Sequence, residues 1–273
     1  LIRKYIFHFR KGGFKQFYKF YILNKFENKI FNKKKLIWND LGYWQVDPIP
    51  TDNELQKFYS ELYWLNNSHY KSQILIPRDI NHYVFLEDKL LSNYPNSINF
   101  MNFGAGHGGI SYLMAAKKNK IINIEPSDIP KFNYKNFSNY QSIDKFINQQ
   151  NLNSIDIIYS SHTIEHLRDP IIFLEKISKL LKKDGSVFIE VPNCRKSIIN
   201  KNYEEGGCDG RIIGSHLIYF TKDFFEKFNC KIFFYKEQNS YQEFLEVKDE
   251  NDADCLRVIF KADDLNRWLQ NKG

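Results

Sequence analysis

Residues 98–116, INFMNFGAGHGGISYLMAA, constrain what this chain can fold into more than any other part of it. A short apolar run ends in Gly104-Ala105-Gly106-His107-Gly108-Gly109 and passes into a helix-like sequence, after which a second apolar run ends in Glu125. Glycines at a strand-to-helix turn let backbone N–H groups approach a ligand that Cβ atoms would hold off, and the helix N-terminus adds a favourable dipole. An ionised carboxylate about 20 residues further on can accept from both hydroxyls of a ribose. Glu125 lies 21 residues after Gly104. This is the pattern of a nucleotide-type cofactor site. Because Gly104, Gly106 and Gly109 also fit G-x-G-x-x-G, the glycines leave the choice between NAD and other adenosyl cofactors open.

The rest of the chain supplies the alternation that such a site needs. From about residue 80 the pattern predicts a helix over 81–93, strand 98–103, helix 109–118, strand 121–125, a helix near 143–149, strand 154–160 and helix 170–181. A Lys183-Asp184-Gly185 turn then leads into strand 186–191, a long Gly-containing loop over 192–219, helix 222–228, and two apolar runs, 231–236 and 256–261, that read as a closing antiparallel pair. Alternating β and α units imply an α/β, doubly wound, mostly parallel sheet, Rossmann-like, with ligands at the carboxyl ends of the strands. Residues 76–273 are expected to form this domain and residues 1–75 an N-terminal extension and lid. Within the lid, a Pro-punctuated turn precedes a short helix starting near Thr51 or Asp52, with Glu54 as its capping-box partner.

Charge separates the two parts. Residues 1–40 carry eleven Lys and Arg against Glu27 and Asp40, a net of +9 within a chain total of +7, so the other 233 residues sum to −2. The near-neutral body gives no reason to expect a nucleic-acid partner. The extension interleaves its cations with aromatics at roughly helical spacing, which suits either packing on the body or on a second copy, or lying peripherally on an anionic membrane surface. No run of 18 uncharged apolar residues is present, and the N-terminus lacks a secretory pattern, so neither a membrane span nor export is expected. Cys194, Cys208, Cys230 and Cys255 show no C-x-x-C spacing and read as reduced thiols of a cytoplasmic protein, with no metal site.

The segment after the second apolar run narrows the cofactor. Residues 154–170, SIDIIYSSHTIEHLRDP, followed by FLEKISKLLKKDGSVFIEVPN over 173–193, resemble the fourth-strand to fifth-strand region of class I S-adenosylmethionine-dependent methyltransferases. The resemblance covers roughly residues 80–262. It implies a seven-stranded sheet whose last strand is antiparallel, S-adenosylmethionine as cofactor, and its methionine end over the Gly104–Gly109 loop. Gly104, Ala105, Gly106, Glu125, Ser142, Ser161 and His162 are the cofactor-binding set it implies, with Glu125 on the ribose and Ser142 beside the adenine. His107 is expected to contribute its backbone.

A second resemblance lies at residues 214–221, GSHLIYFT, which is similar to the His-x-x-Tyr-Phe segment of nucleotide-sugar methyltransferases in this superfamily. There the His sits beside the sugar and can act as base. The C-methylating relatives carry an N-terminal zinc-binding cysteine cluster and an acidic residue before the His; this chain has no such cysteines and has Ser215. O-methylation of a hydroxyl on a small polar acceptor, a nucleotide-linked or polysaccharide-precursor sugar, is therefore the expected activity. His216 and His166 are the candidate catalytic residues, since imidazole is poised near neutral pH for proton removal. Glu165 could orient His166 or cap the following helix. Glu190 and Asn193 end the fifth strand facing the same cleft, and Asn193 and Tyr219 are the candidate substrate contacts. The alternatives are an NAD-dependent oxidoreductase using the same loop, and a non-catalytic scaffold of the same fold.

Overall fold

The computed structural model describes residues 34–58, 75–126, 135–149, 151–194, 216–238 and 244–272, with Tyr18 and Tyr21. Apart from those two tyrosines, the expectations for residues 1–33 lie outside the described residues, as do those for 59–74 and for most of the 192–219 loop.

The apolar runs form the strands of one eight-stranded sheet. These are β3 (Asn99–Phe103), β4 (Lys120–Ile124), β5 (Phe137–Tyr140), β6 (Ile155–Ser161), β7 (Leu181–Pro192), β9 (Lys231–Glu237), β10 (Phe244–Val247) and β11 (Cys255–Lys261). Their order is β10-β9-β11-β7-β6-β3-β4-β5. Strands β3 to β7 are parallel, whereas β11 runs antiparallel to both β7 and β9 and β10 antiparallel to β9. The closing antiparallel pair is thus present, but the sheet has eight strands where seven were expected. The extra strand is β10, whose four residues, FLEV, are too short to carry a period.

Period-2 alternation builds two cores from the same strands. Phe100, Ile157 and Phe188 face one cluster with Phe85 and Leu86 of α2 (Pro77–Lys89) and Ile110 and Met114 of α3 (Gly109–Ala116). Their neighbours Met101, Ile158 and Val187 face the other, with Leu174 and Ile177 of α5 (Pro170–Leu180) and Leu265 of α7 (Ala262–Lys272). Asp169 caps α5 by accepting from the N–H groups of Ile171 (2.7 Å) and Ile172 (3.3 Å), with Pro170 in the first turn, where its missing N–H costs nothing. Between β5 and β6, Ser142 caps the short α4 (Ile143–Ile147). Strand β7 starts five residues earlier than expected: the Lys183-Asp184-Gly185 segment is absorbed as an irregularity between the pairs Ile155↔Leu181 and Ile157↔Ser186.

A second, three-stranded sheet was not foreseen. Strands β1 (Lys35–Asn39) and β2 (Tyr43–Asp47) form an antiparallel hairpin, and β2 pairs with β8 (Ile218–Phe220). Residues 35–39, at the end of the basic stretch read as helically spaced, are therefore extended. Leu36, Val46, Cys194 and Tyr219 pack between these strands. Thr221 Oγ1, leading into α6 (Lys222–Phe225), donates to Gly42 O at 2.6 Å and ties the hairpin to the body. The capping box of α1 (Asp52–Lys57) forms as expected: Glu54 N donates to Thr51 Oγ1, and Thr51 N to Glu54 Oε2 at 2.8 Å. No described helix is long and apolar enough to cross a membrane.

Candidate active site

The glycine loop turns from β3 into α3 with φ of +74° at Gly104, +54° at Gly106 and +78° at Gly108, a region costly for other residues. Gly104 N and Ala105 N donate to Ile124 O, at 2.9 and 3.2 Å, and so hold the loop on the end of β4. Glu125 follows directly, and its Oε2 accepts from Gly106 N at 2.9 Å. Gly104, Ala105, Gly106 and Glu125 are therefore brought together. Two of the glycines are required by neighbours. A Cβ on Gly104 would strike the Thr163 side chain, and one on Gly109 the Asp79 carboxylate. Gly106 differs, because its Cβ would meet nothing nearer than Gly104 O at 4.0 Å. The loop is open there, as a ligand cradle must be.

Asp79 explains the loop's far side. Its Oδ2 accepts from Ile76 N at 2.9 Å and lies 2.7 Å from His107 Nε2, which puts a carboxylate at the start of α3, where the helix dipole favours it. The His107 side chain thus has a partner beyond the backbone role expected of it. Ser142 Oγ accepts from Lys145 N at 3.3 Å, so the structure uses this hydroxyl as a helix cap just beyond β5. Glu125 N, in turn, donates to Tyr140 O at the end of that strand.

At the end of β7 stands a buried hub centred on Glu190, whose partners His82 and Arg257 the sequence pattern did not single out. Glu190 accepts from Arg257 Nε (2.6 Å), His82 Nε2 (2.8 Å) and Ser161 Oγ (3.1 Å), and its Oε1 is 3.2 Å from His162 Nε2. Tyr159 O–H donates in turn to His82 Nδ1 at 2.6 Å, which assigns the His82 proton to Nε2. Burial pushes His82 down to about 4 despite the attraction of Glu190. Burial opposes ionisation of Glu190 too, but its cationic and hydrogen-bonding partners, Arg257 among them, hold it well below the usual carboxylate range. The Arg257 guanidinium, fully buried, lies 3.7 Å from the centroid of Tyr235, with Phe85 and Phe244 completing an aromatic box. The available signals were one arginine inside the apolar run CLRVIFK and one histidine on the inner face of a helix.

The histidines gather around a second carboxylate. His162 takes φ +47° at the end of β6, and its N–H donates to Glu190 O at 3.0 Å. A 3-10 turn, Ile164–His166, then presents Glu165 and His166. Leu217 N donates to Glu165 O at 2.9 Å and brings His216 alongside. Glu165 Oε1 lies 3.6 Å from His162 Nδ1, 3.9 Å from His166 Nε2 and 4.0 Å from His216 Nε2. The His166 and His216 rings meet edge to face with centroids 4.9 Å apart. Burial, reinforced by His166 and His162, keeps His216 well below the usual imidazole range, so it is neutral at neutral pH. The fold therefore brings both candidate catalytic histidines into one cluster.

Asn193 and Tyr219 are placed differently. Asn193 Nδ2 donates to Glu250 O (2.8 Å) and Ala253 O (3.0 Å), clamping the 250–253 turn, and Tyr219 is buried in the small sheet with its ring 5.9 Å from that of His216.

Thr163 links the two halves of the site: it abuts Gly104 and stands two residues before Glu165. A family model described as a methyltransferase domain matches residues 81–273. The chain belongs to this methyltransferase family. Two solved structures share the methyltransferase's fold. One is an S-adenosylmethionine-dependent methyltransferase from Archaeoglobus fulgidus, at 16% identity and TM-score 0.50, covering 74% of this chain and 100% of that one. The other is the Burkholderia thailandensis 1,6-didemethyltoxoflavin-N1-methyltransferase, with bound 1,6-didemethyltoxoflavin and S-adenosylhomocysteine, at 11% identity and TM-score 0.54, covering 83% and 98%. Compared with curated protein sequences, the methyltransferase matches none. Its cofactor is S-adenosylmethionine, and the open face at Gly106 with Glu125 beside it fits that group. The nicotinamide alternative is thereby set aside.

Proposed function

We propose that the methyltransferase methylates a hydroxyl of a small polar acceptor, a nucleotide-linked or polysaccharide-precursor sugar. The observation that carries this reading is the cluster of Glu165, His166 and His216 beside the glycine loop. A methyl sulfonium already supplies the electrophile and leaving group, so the protein's task is to align the acceptor and ease loss of its proton. The buried, neutral imidazole of His216 at the strands' carboxyl ends is suited to that; an amine or an activated carbon would ask less of it. Gly104, Ala105, Gly106 and Glu125 hold the cofactor in this reading, with Ser142 beyond β5, while His166 and His216 face the acceptor. Ser161 and His162 support the site through Glu190. The deciding experiment incubates the enzyme and a trideuteromethyl donor with a small-molecule extract and follows the label by mass spectrometry. A labelled ether supports the reading; label on nitrogen or carbon overturns it.

The cofactor half has its own test. Glu125→Ala leaves ribose hydroxyls without their acceptor and is expected to weaken S-adenosylhomocysteine binding by about 1–3 kcal/mol. Gly106→Val fills the open face of the loop at a φ of +54° and should weaken it further. Unchanged affinity of both variants in calorimetry would mean that the cofactor lies elsewhere.

Residues 1–33 precede in sequence every residue named for this site. Deleting them is expected to leave S-adenosylhomocysteine affinity unchanged, because the loop and Glu125 are downstream. The basic charge of the extension supports an electrostatic contact with an anionic lipid surface. Full-length protein should then float with anionic liposomes and be released by salt. Salt-independent absence of flotation, with dimerisation lost on deletion, assigns the segment to a second copy of the chain.

A further inference from the structure

The Glu165 carboxylate is only 1% exposed, and neither of its oxygens has a hydrogen-bond partner among the described residues. A buried charge left in that state is costly, and folded proteins pair it or give it to a metal. Its histidine neighbours stand at distances that fit the second solution better than the first. A hydrogen bond would bring nitrogen to about 2.7–3.2 Å from the oxygen. The observed 3.9 and 4.0 Å to His166 and His216 are nearer the edge of a tetrahedron, roughly 3.3–3.6 Å, that ligand bonds of about 2.0–2.2 Å would make, while His162, whose Nδ1 is 3.6 Å away, is held to Glu190 by its other nitrogen. One ligand atom from each of Glu165, His166 and His216 falls within 4.8 Å of the others.

From this geometry we infer that Glu165, His166 and His216 form a binding site for a divalent transition-metal ion. Two imidazoles and one carboxylate suit zinc, iron, cobalt or manganese and disfavour magnesium, which takes oxygen ligands. The backbone prepares the site. Glu165 and His166 are fixed by one 3-10 turn, and Leu217 N, bonded to Glu165 O, pins His216 next to them, braced in turn by the β1–β2 hairpin through β8. Three protein ligands leave a position open, as catalytic sites do. The inference rests on the proposed hydroxyl methylation and states how the pair of histidines acts there: through a cation that binds the acceptor oxygen and eases loss of its proton.

The test uses the full chain, stripped with a chelator and titrated with Co²⁺. Visible d–d absorption saturating at one ion per chain, and bleached by Zn²⁺, is the expected result. Glu165→Gln and His216→Ala should each weaken Zn²⁺ binding beyond the roughly 10- to 100-fold cost of losing an outer-shell partner, with S-adenosylhomocysteine affinity retained as the check on folding. No Co²⁺ absorption in the wild type, or the same absorption in both variants, overturns the site. If methyl transfer to a hydroxyl persists in the stripped wild type, the metal is overturned and the function stands. A cobalt signature without hydroxyl methylation overturns the function and leaves the site in place.

Discussion

His216→Ala is expected to lower turnover by roughly 100-fold or more while leaving S-adenosylmethionine affinity within a few-fold. The separation follows from position. His216 enters the cluster from the strand side, at Leu217 N–Glu165 O, with its ring against those of His166 and Tyr219. Its removal takes away an acceptor-side imidazole and leaves the cradle at Gly104–Gly106 and Glu125 untouched. His166→Ala is the comparison within the same pair. It stands on the turn that follows Thr163, whose side chain packs on Gly104, so a change there is expected to alter both turnover and cofactor affinity. Single-turnover kinetics with calorimetry on the same preparations checks both. Full activity in His216→Ala would remove this residue from the acceptor side.

Glu190→Ala is expected to cost about 3–5 kcal/mol of stability, the cost of breaking a buried ion pair by removing one partner. Arg257 would keep its charge in the aromatic box of Tyr235, Phe85 and Phe244 with no anion beside it. Replacing Glu190 and Arg257 together by apolar residues should recover part of the loss, which a double-mutant denaturation cycle measures. The same hub makes the fold acid-sensitive. His82 titrates at about 4 in the folded protein, against about 6.5 in an unfolded chain. Between those values the unfolded chain binds a proton that the folded one does not, so stability falls as pH drops through this window, by about 3 kcal/mol in all. Below about 4 both states are protonated and this contribution is spent. Denaturant titrations across the window should show the decline in the wild type and a flatter profile in His82→Gln.

Much of the proposed cofactor half of the site was legible in the residues. Gly104, Gly106 and Glu125 are marked by types whose physics is local, since a positive φ needs glycine and a strand-end acid needs only the strand. The histidines of the acceptor half were visible as residues, but their common partner was not. Glu165 reads as a helix-cap or orienting acid until Leu217 N, 52 residues later, is brought against it. Asn193 and Tyr219 show the opposite limit. Both sit where a substrate contact was expected, yet the Asn193 amide clamps the 250–253 turn and Tyr219 is packed into a sheet. Such competition between a backbone carbonyl and a ligand for one amide is settled only by which approaches.

The residue order alone determined the alternation of strands and helices, the parallel core, the closing antiparallel pair and the glycine turn with its acid at the strands' carboxyl ends, because periodicity and glycine chemistry act over a few neighbours. Tertiary structure decided the rest: that residues 35–47 form a hairpin pairing with a strand at 218–220, that FLEV at 244–247 adds an eighth strand, and that Glu190 collects His82 and Arg257 from α2 and β11. These contacts join residues separated by up to more than 170 positions, and nothing local in either partner encodes the other. Their free energy exists only once burial has removed water from both.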